Sequence, residues 1–163
     1  MDDLFAPPDG DWSRVSPALA RLRRALLVTA LLLVLAVLGI ILLLALVPTW
    51  AVAVAAGVVV AFAAFGWVAV GRNASRWGYL ERDQDLCITR GAWLRRLVVV
   101  PYGRMQYVDV QAGPIDRAFG IAQVRLHTAS PGTTAYLPGL PANEAARLRD
   151  RLTSLGEAQA AGL

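Results

Sequence analysis

Residues 25–47 carry no charged side chain, and after Pro48 and Thr49 neither do residues 50–71. Each run exceeds the roughly 20 residues that a helix needs to cross a hydrocarbon core of about 30 Å. The pattern predicts a transmembrane hairpin over residues 25–71, with spans at 25–47 and 50–71. A tight turn at Pro48 suits a residue with fixed φ and no amide hydrogen. Neither span holds a buried charge, so a proton or ion pathway has no candidate residues.

Beyond Gly71 the long apolar runs give way to short alternating ones. Residues 77–80, 86–89, 93–100, 107–110, 122–128 and 134–137 read as six strands. Asp83-Gln84, Arg90-Gly91, Pro101, Pro131-Gly132 and Pro138-Gly139 punctuate them. A helix then starts near Ala142, with Asn143 as its expected cap. Ala145, Leu148, Leu152 and Leu155 form one apolar stripe at three- and four-residue spacing, while Arg147, Arg149, Asp150 and Arg151 take other faces. The expected fold class is therefore α+β. A two-helix hairpin precedes an antiparallel barrel or sandwich over residues 72–157, and a C-terminal helix covers its open edges. Residues 158–163 form a tail. Ahead of the hairpin, residues 1–11 have the Asp-, Pro- and Gly-rich composition of a disordered segment. Residues 12–24 are basic, and Pro17 opens a helix that runs on into the first span.

Charge sets the expected orientation. Arg14, Arg21, Arg23 and Arg24 precede the first span, Arg72, Arg76 and Arg82 follow the second, and the connection is uncharged. Positive flanks favour the cytoplasmic side, which places both termini inside and the turn outside a cell (inner) membrane. Trp50 and Trp67 lie near opposite ends of the second span, where indole rings favour the interface. The net charge of +4 rests on arginine alone, which with abundant Ala and Leu reads as the mark of a GC-rich genome. The first apolar run is too long for a signal peptide and a second span follows at once, so cleavage is not expected. The lone Cys87 excludes an internal disulfide, and no CxxC or Cys/His cluster suggests a metal. Ala53, Gly57 and Ala61 share one helix face. They read as a packing seam, within the hairpin or between protomers of a homo-oligomer, or as chance spacing in an Ala-rich segment.

Several motifs together resemble one family. Residues 12–17 (WSRVSP) stand before the hairpin, and residues 86–91 (LCITRG) form an early strand with a glycine turn. Residues 99–108 (VVPYGRMQYV) are similar to an Ile-Pro-x-x-Arg-Ile-Gln-x-Val segment, and residues 113–120 (GPIDRAFG) to an Arg-x-Phe-Gly turn. In this order they resemble the YdbS-like membrane proteins that carry a bacterial pleckstrin-homology (PH) domain. The resemblance covers residues 12–155. It implies a seven-stranded PH-like barrel capped by a helix, membrane residence and partnership with a larger membrane protein bearing repeated PH-like domains. It implies no reaction. A seventh strand is expected within residues 93–100 or 101–107.

The candidate chemistry is sparse. His127 alternates with Val124 and Leu126 and reads as part of a solvated strand face. Nothing supplies it with an orienting carboxylate and a nucleophile. Cys87 reads as packing. Residues 130–134 lack the pattern of a phosphate loop. Arg117, Phe119 and Gly120 form a candidate partner-contact loop, or else Phe119 plugs the barrel while Arg117 ties the turn to Asp109 or Asp116. Arg104 and Gln106 pose the same choice. Arg90, Arg95 and Arg96 are candidates for facing anionic lipid. No cofactor, metal or nucleic-acid partner is expected. The resulting expectation is a non-catalytic interaction or scaffold module at the cytoplasmic face of the membrane. A lipid-sensing module and an envelope enzyme are the alternatives.

Overall fold

The computed structural model describes residues 12–128 and 135–160. The chain divides into two compact units, residues 20–72 and the remainder.

The first unit is the hairpin. Its helices are α1 (Ala18–Leu43) and α2 (Thr49–Ala74), each 26 residues long, about 39 Å at 1.5 Å per residue. Helix α1 starts earlier than the apolar run because Ser16 caps it. The Ala18 amide donates to Ser16 Oγ at 3.2 Å, with Pro17 at a position that needs no amide. It also stops earlier, at Leu43, and Ala45 turns the chain at φ 51. Ala53, Gly57 and Ala61 are exposed, and a Cβ on Gly57 would meet nothing within 4 Å. That stripe is therefore not the seam between α1 and α2. The close approaches fall elsewhere on α2. A Cβ on Gly66 would lie 2.8 Å from Leu27 Cδ1, and Gly71 makes room for the Arg24 guanidinium, which stacks 4.8 Å from the Trp67 ring centroid.

The second unit is a β domain of seven strands among the described residues. Strands β1 (Ser13–Arg14), β2 (Gly78–Glu81), β3 (Asp85–Arg90) and β4 (Arg96–Pro101) form one antiparallel sheet in that order. A 3-10 turn at Tyr102–Arg104 leads to β5 (Met105–Gln111). A short helix α3 (Pro114–Ala118) leads to β6 (Ile121–Thr128). Strands β5, β6 and β7 (Ala135–Pro141) form the second antiparallel sheet, and α4 (Ala142–Ala160) follows directly.

Four expectations change here. The seventh strand is β1, upstream of the hairpin, rather than a segment within residues 93–107. Strand β7 runs through Pro138 and Gly139 instead of stopping there. Its register against β6 passes from Ala122↔Leu140 to Val124↔Leu137, so β7 carries an extra, bulged residue. Gly139 supplies the positive φ, +72°, that this bulge needs. Asn143 lies inside the first turn of α4 rather than capping it, and α4 continues to Ala160. Strand β4 begins only at Arg96, which leaves Trp93 and Leu94 in a turn.

The core forms where both sheets meet α4. Leu86, Tyr102, Val124, Leu126, Leu148 and Leu152 have no exposed surface. The apolar stripe of α4 thus closes the domain, with Leu155 half-buried at its end. Charged groups pin the same helix to β2. Tyr79 Oη donates to Glu144 Oε1 at 2.6 Å, Arg147 pairs with both Glu144 and Glu81, and Arg151 Nε reaches Glu81 Oε2 at 3.1 Å.

Strands β1 and β2 pair directly, Ser13 with Tyr79 and Arg14 with Gly78. The chain between them is the hairpin. Both hairpin ends therefore connect to one domain.

Candidate interaction surfaces

Both connections to the hairpin leave the first sheet from the same end. Strand β1 exits at Arg14 and β2 enters at Gly78, which pairs with Thr89 of β3. The β3–β4 turn also lies at this end, where Arg90 pairs with Arg96. The turn is shaped by Gly91 at φ +97°. A Cβ there would collide with the Leu94 carbonyl oxygen, so any other residue would force the loop open. Its tip exposes Trp93 (79%) and Leu94 (84%). The three arginines singled out in the sequence, Arg90, Arg95 and Arg96, flank that tip. Arg90 also lies 5.9 Å from the ring centroid of Trp77, which packs edge-on against Tyr136. The acidic residues Asp83 and Asp85 belong to the opposite end of the sheet, where Arg82 pairs with Asp85 at 3.8 Å.

The loop around Arg117 is a surface feature. Its Asp116 carboxylate accepts from the Gly113 amide at 3.0 Å, and Asp109 accepts from Gln111 Nε2 at 2.6 Å. Neither carboxylate engages Arg117, whose exposed side chain has no ion-pair partner among the described residues. Phe119 is half-buried rather than a barrel plug, and Gly120 is exposed at φ +67°. The tie to Asp109 or Asp116 is absent: the Gly113 amide bonds Asp116, and Gln111 bonds Asp109. Arg104 and Gln106 are exposed, and Arg104 bonds no carbonyl among the described residues. The buried group after Pro101 is Tyr102, which donates to the Arg82 carbonyl at 2.9 Å. Burial pushes its phenol up to about 12.

A third surface was not foreseen in the sequence. Strand β5 is the edge of its sheet, with β6 on one side only. Its outer side borders a groove of about 310 Å³ against α4, lined by Met105, Tyr107, Val108, Leu152 and Gly156 among others. Tyr107 is 56% exposed and stacks on His127, with centroids 4.2 Å apart and planes 10° from parallel. The only sequence signal was the placement of Tyr107 and His127 on strands, since an edge is a property of pairing.

His127 meets an aromatic ring rather than a carboxylate–nucleophile pair. Cys87 is buried, with Sγ donating to Asp85 Oδ1 at 3.4 Å. Burial first, then the Asp85 carboxylate, raises its thiol pKa, so the thiolate is disfavoured. Among the described residues no group of three His, Cys, Asp or Glu side chains is arranged to hold a metal.

The family model of the Bacterial PH domain matches residues 19–155. The chain is also similar to the UPF0699 transmembrane protein YdbS of Bacillus subtilis (strain 168), 34% identical over 79 residues. That alignment covers 48% of each protein, so the chain spans about half the length of the curated relative it matches. No solved structure matches. The named relative is transmembrane and two helices here are long and apolar enough to cross a bilayer, which together support a membrane location.

Proposed function

The chain belongs to the bacterial PH domain family, and from that premise we propose that it is a non-catalytic contact module held by its hairpin at the cytoplasmic face of the inner membrane. The observation that carries this reading is the unpaired outer edge of β5 beside its groove. An edge strand offers amides and carbonyls for pairing with an added strand, and the adjoining groove receives that strand's side chains. Tyr107, Met105 and Val108 supply apolar area, and the Arg117–Gly120 loop offers a second, basic contact. The partner is a larger membrane protein with repeated PH-like domains, in keeping with the family resemblance. Confinement to one membrane plane raises the effective concentration of both domains. The arginine-rich flanks of the hairpin support the cytoplasmic orientation.

Site-specific photocrosslinking tests this in native membranes. A photoreactive residue replacing Tyr107 or Arg117 is expected to give discrete, reproducible adducts. The same residue at Arg149, on the exposed face of α4, is expected to give none. Equal labelling from all three positions, or none from Tyr107, contradicts the contact role of the β5 edge.

A further inference from the structure

Outside the hairpin, Leu94 and Trp93 are the two most exposed large apolar side chains among the described residues, at 84% and 79%. They are adjacent, and they sit at the tip of one turn. Such a pair leaves adjoining apolar surface in water. Gly91, with its positive φ, allows the tight turn.

Chain connectivity puts that tip at the end of the sheet from which both links to the hairpin leave. Three chain passes point to the same end of the sheet, namely the exit of β1, the start of β2 and the β3–β4 turn. Only residues 75–77 separate α2 from β2, and residues 15–17 separate β1 from α1. The turn extends a few residues beyond the Gly78–Thr89 pair, at about 3.3 Å per residue. It therefore leaves the sheet at the end from which both linkers leave. Charge fits the same assignment, with Arg14, Arg90 and Arg96 at this end of the sheet and Asp83 and Asp85 at the other. Trp is the side chain that most favours the membrane interface, and arginine near it is attracted to anionic headgroups.

We propose that the Gly91–Arg95 turn inserts into the interface of the same bilayer that carries the hairpin, with Trp93 and Leu94 below the headgroups and Arg90, Arg95 and Arg96 among the lipid phosphates. The turn thereby acts as a third attachment point, additional to α1 and α2. It fixes how the domain stands on the membrane, and hence which way the β5 edge faces. The contact needs no protein partner, so it stands or falls separately from the contact module.

The test uses the full-length protein, one copy per lipid nanodisc of phosphatidylcholine with phosphatidylglycerol. Trp93→Cys in a Cys87→Ser background carries an environment-sensitive fluorophore, with Asp83→Cys at the far end of the sheet as the comparison. The Trp93 site is expected to be quenched by shallow spin-labelled lipid and to show at least about threefold weaker iodide quenching than the Asp83 site. Protection is expected to weaken in phosphatidylcholine alone or with high salt. Equal iodide access at both sites, or protection without quenching by the spin-labelled lipid, overturns the proposal. Intrinsic fluorescence gives a readout without cysteine variants. Subtracting Trp93→Phe spectra from those of the native chain isolates Trp93, whose emission is expected to be blue-shifted and lipid-quenched. Emission typical of water from that difference overturns the proposal equally.

Discussion

The Ser16 amide donates to the Gly139 carbonyl at 2.8 Å, joining the stretch before the hairpin to the last strand of the domain. Ser16 meets Gly139 where β7 bulges, and Leu19 packs so close above Gly139 that a Cβ would lie 2.7 Å from Leu19 Cβ. The domain is thus assembled from both sides of the hairpin in sequence. Strand β1 can pair with β2 only once the hairpin has brought the chain back.

Gly139→Ala is expected to destabilise the protein by roughly 2–3 kcal/mol, combining a left-handed backbone penalty with the clash against Leu19. Denaturant unfolding of the full chain in detergent checks this. An unchanged midpoint would show that the bulge relaxes freely and that Leu19 does not pin it.

Leu148→Asp and Leu152→Asp are each expected to cost several kcal/mol, since both side chains are fully buried and a carboxylate there would lose its hydration. Leu155→Asp, at a half-buried position, is expected to cost less. Thermal melts of the three variants should fall in that order. A wild-type melt for Leu148→Asp would remove the closing role of α4.

The α4 stripe was legible because a 3.6-residue period over about three turns is a strong signal. The two spans were legible through run length, and six of the strands through short apolar runs between turn residues. Strand β1 was not, because two residues carry no period and its partner lies beyond the hairpin. Pro138-Gly139 read as a stop although the strand absorbs both in a bulge. Trp93 and Leu94 read as the start of a strand because apolar residues continue through Val100, whereas Gly91 and the Arg90–Arg96 pair place them in a turn. As to sites, the pairing register gathers Arg90, Arg95 and Arg96 at one turn. The Ala53–Gly57–Ala61 stripe is exposed, facing away from α1. The β5 edge depends on strand order, which local sequence does not encode.

The Glu144 network gives stability a defined pH dependence. Bonds from Arg147 and then Tyr79 hold the Glu144 carboxyl below its usual pKa. A depressed folded-state pKa contributes stability that is present above the unfolded value and lost as pH falls through the folded one. Glu144→Gln should therefore lower stability at neutral pH and flatten its decline in acid. Tyr79 behaves in the opposite sense. Burial and the Glu144 bond raise it from 10.0 to about 12, so its contribution is complete below pH 10 and is lost as pH rises toward 12. Tyr79→Phe should remove that alkaline loss. Unfolding free energies measured across pH decide both, and parallel curves for variant and native protein would contradict the assignment.

Cys87 should remain unlabelled by maleimide in the native protein and react only on unfolding, since it is 1% exposed and its thiolate is disfavoured. Rapid labelling under native conditions would mean that the β3 region opens far more readily than its burial suggests.

The proposed side of the membrane for the contact domain is the cytoplasmic one. It is tested most directly by labelling Asp83→Cys and Val47→Cys, each in the full chain, with a membrane-impermeant maleimide in intact cells and in inverted vesicles. Val47→Cys is expected to react only in intact cells and Asp83→Cys only in inverted vesicles. Reaction of Asp83→Cys in intact cells would place the domain outside the membrane and contradict the claim.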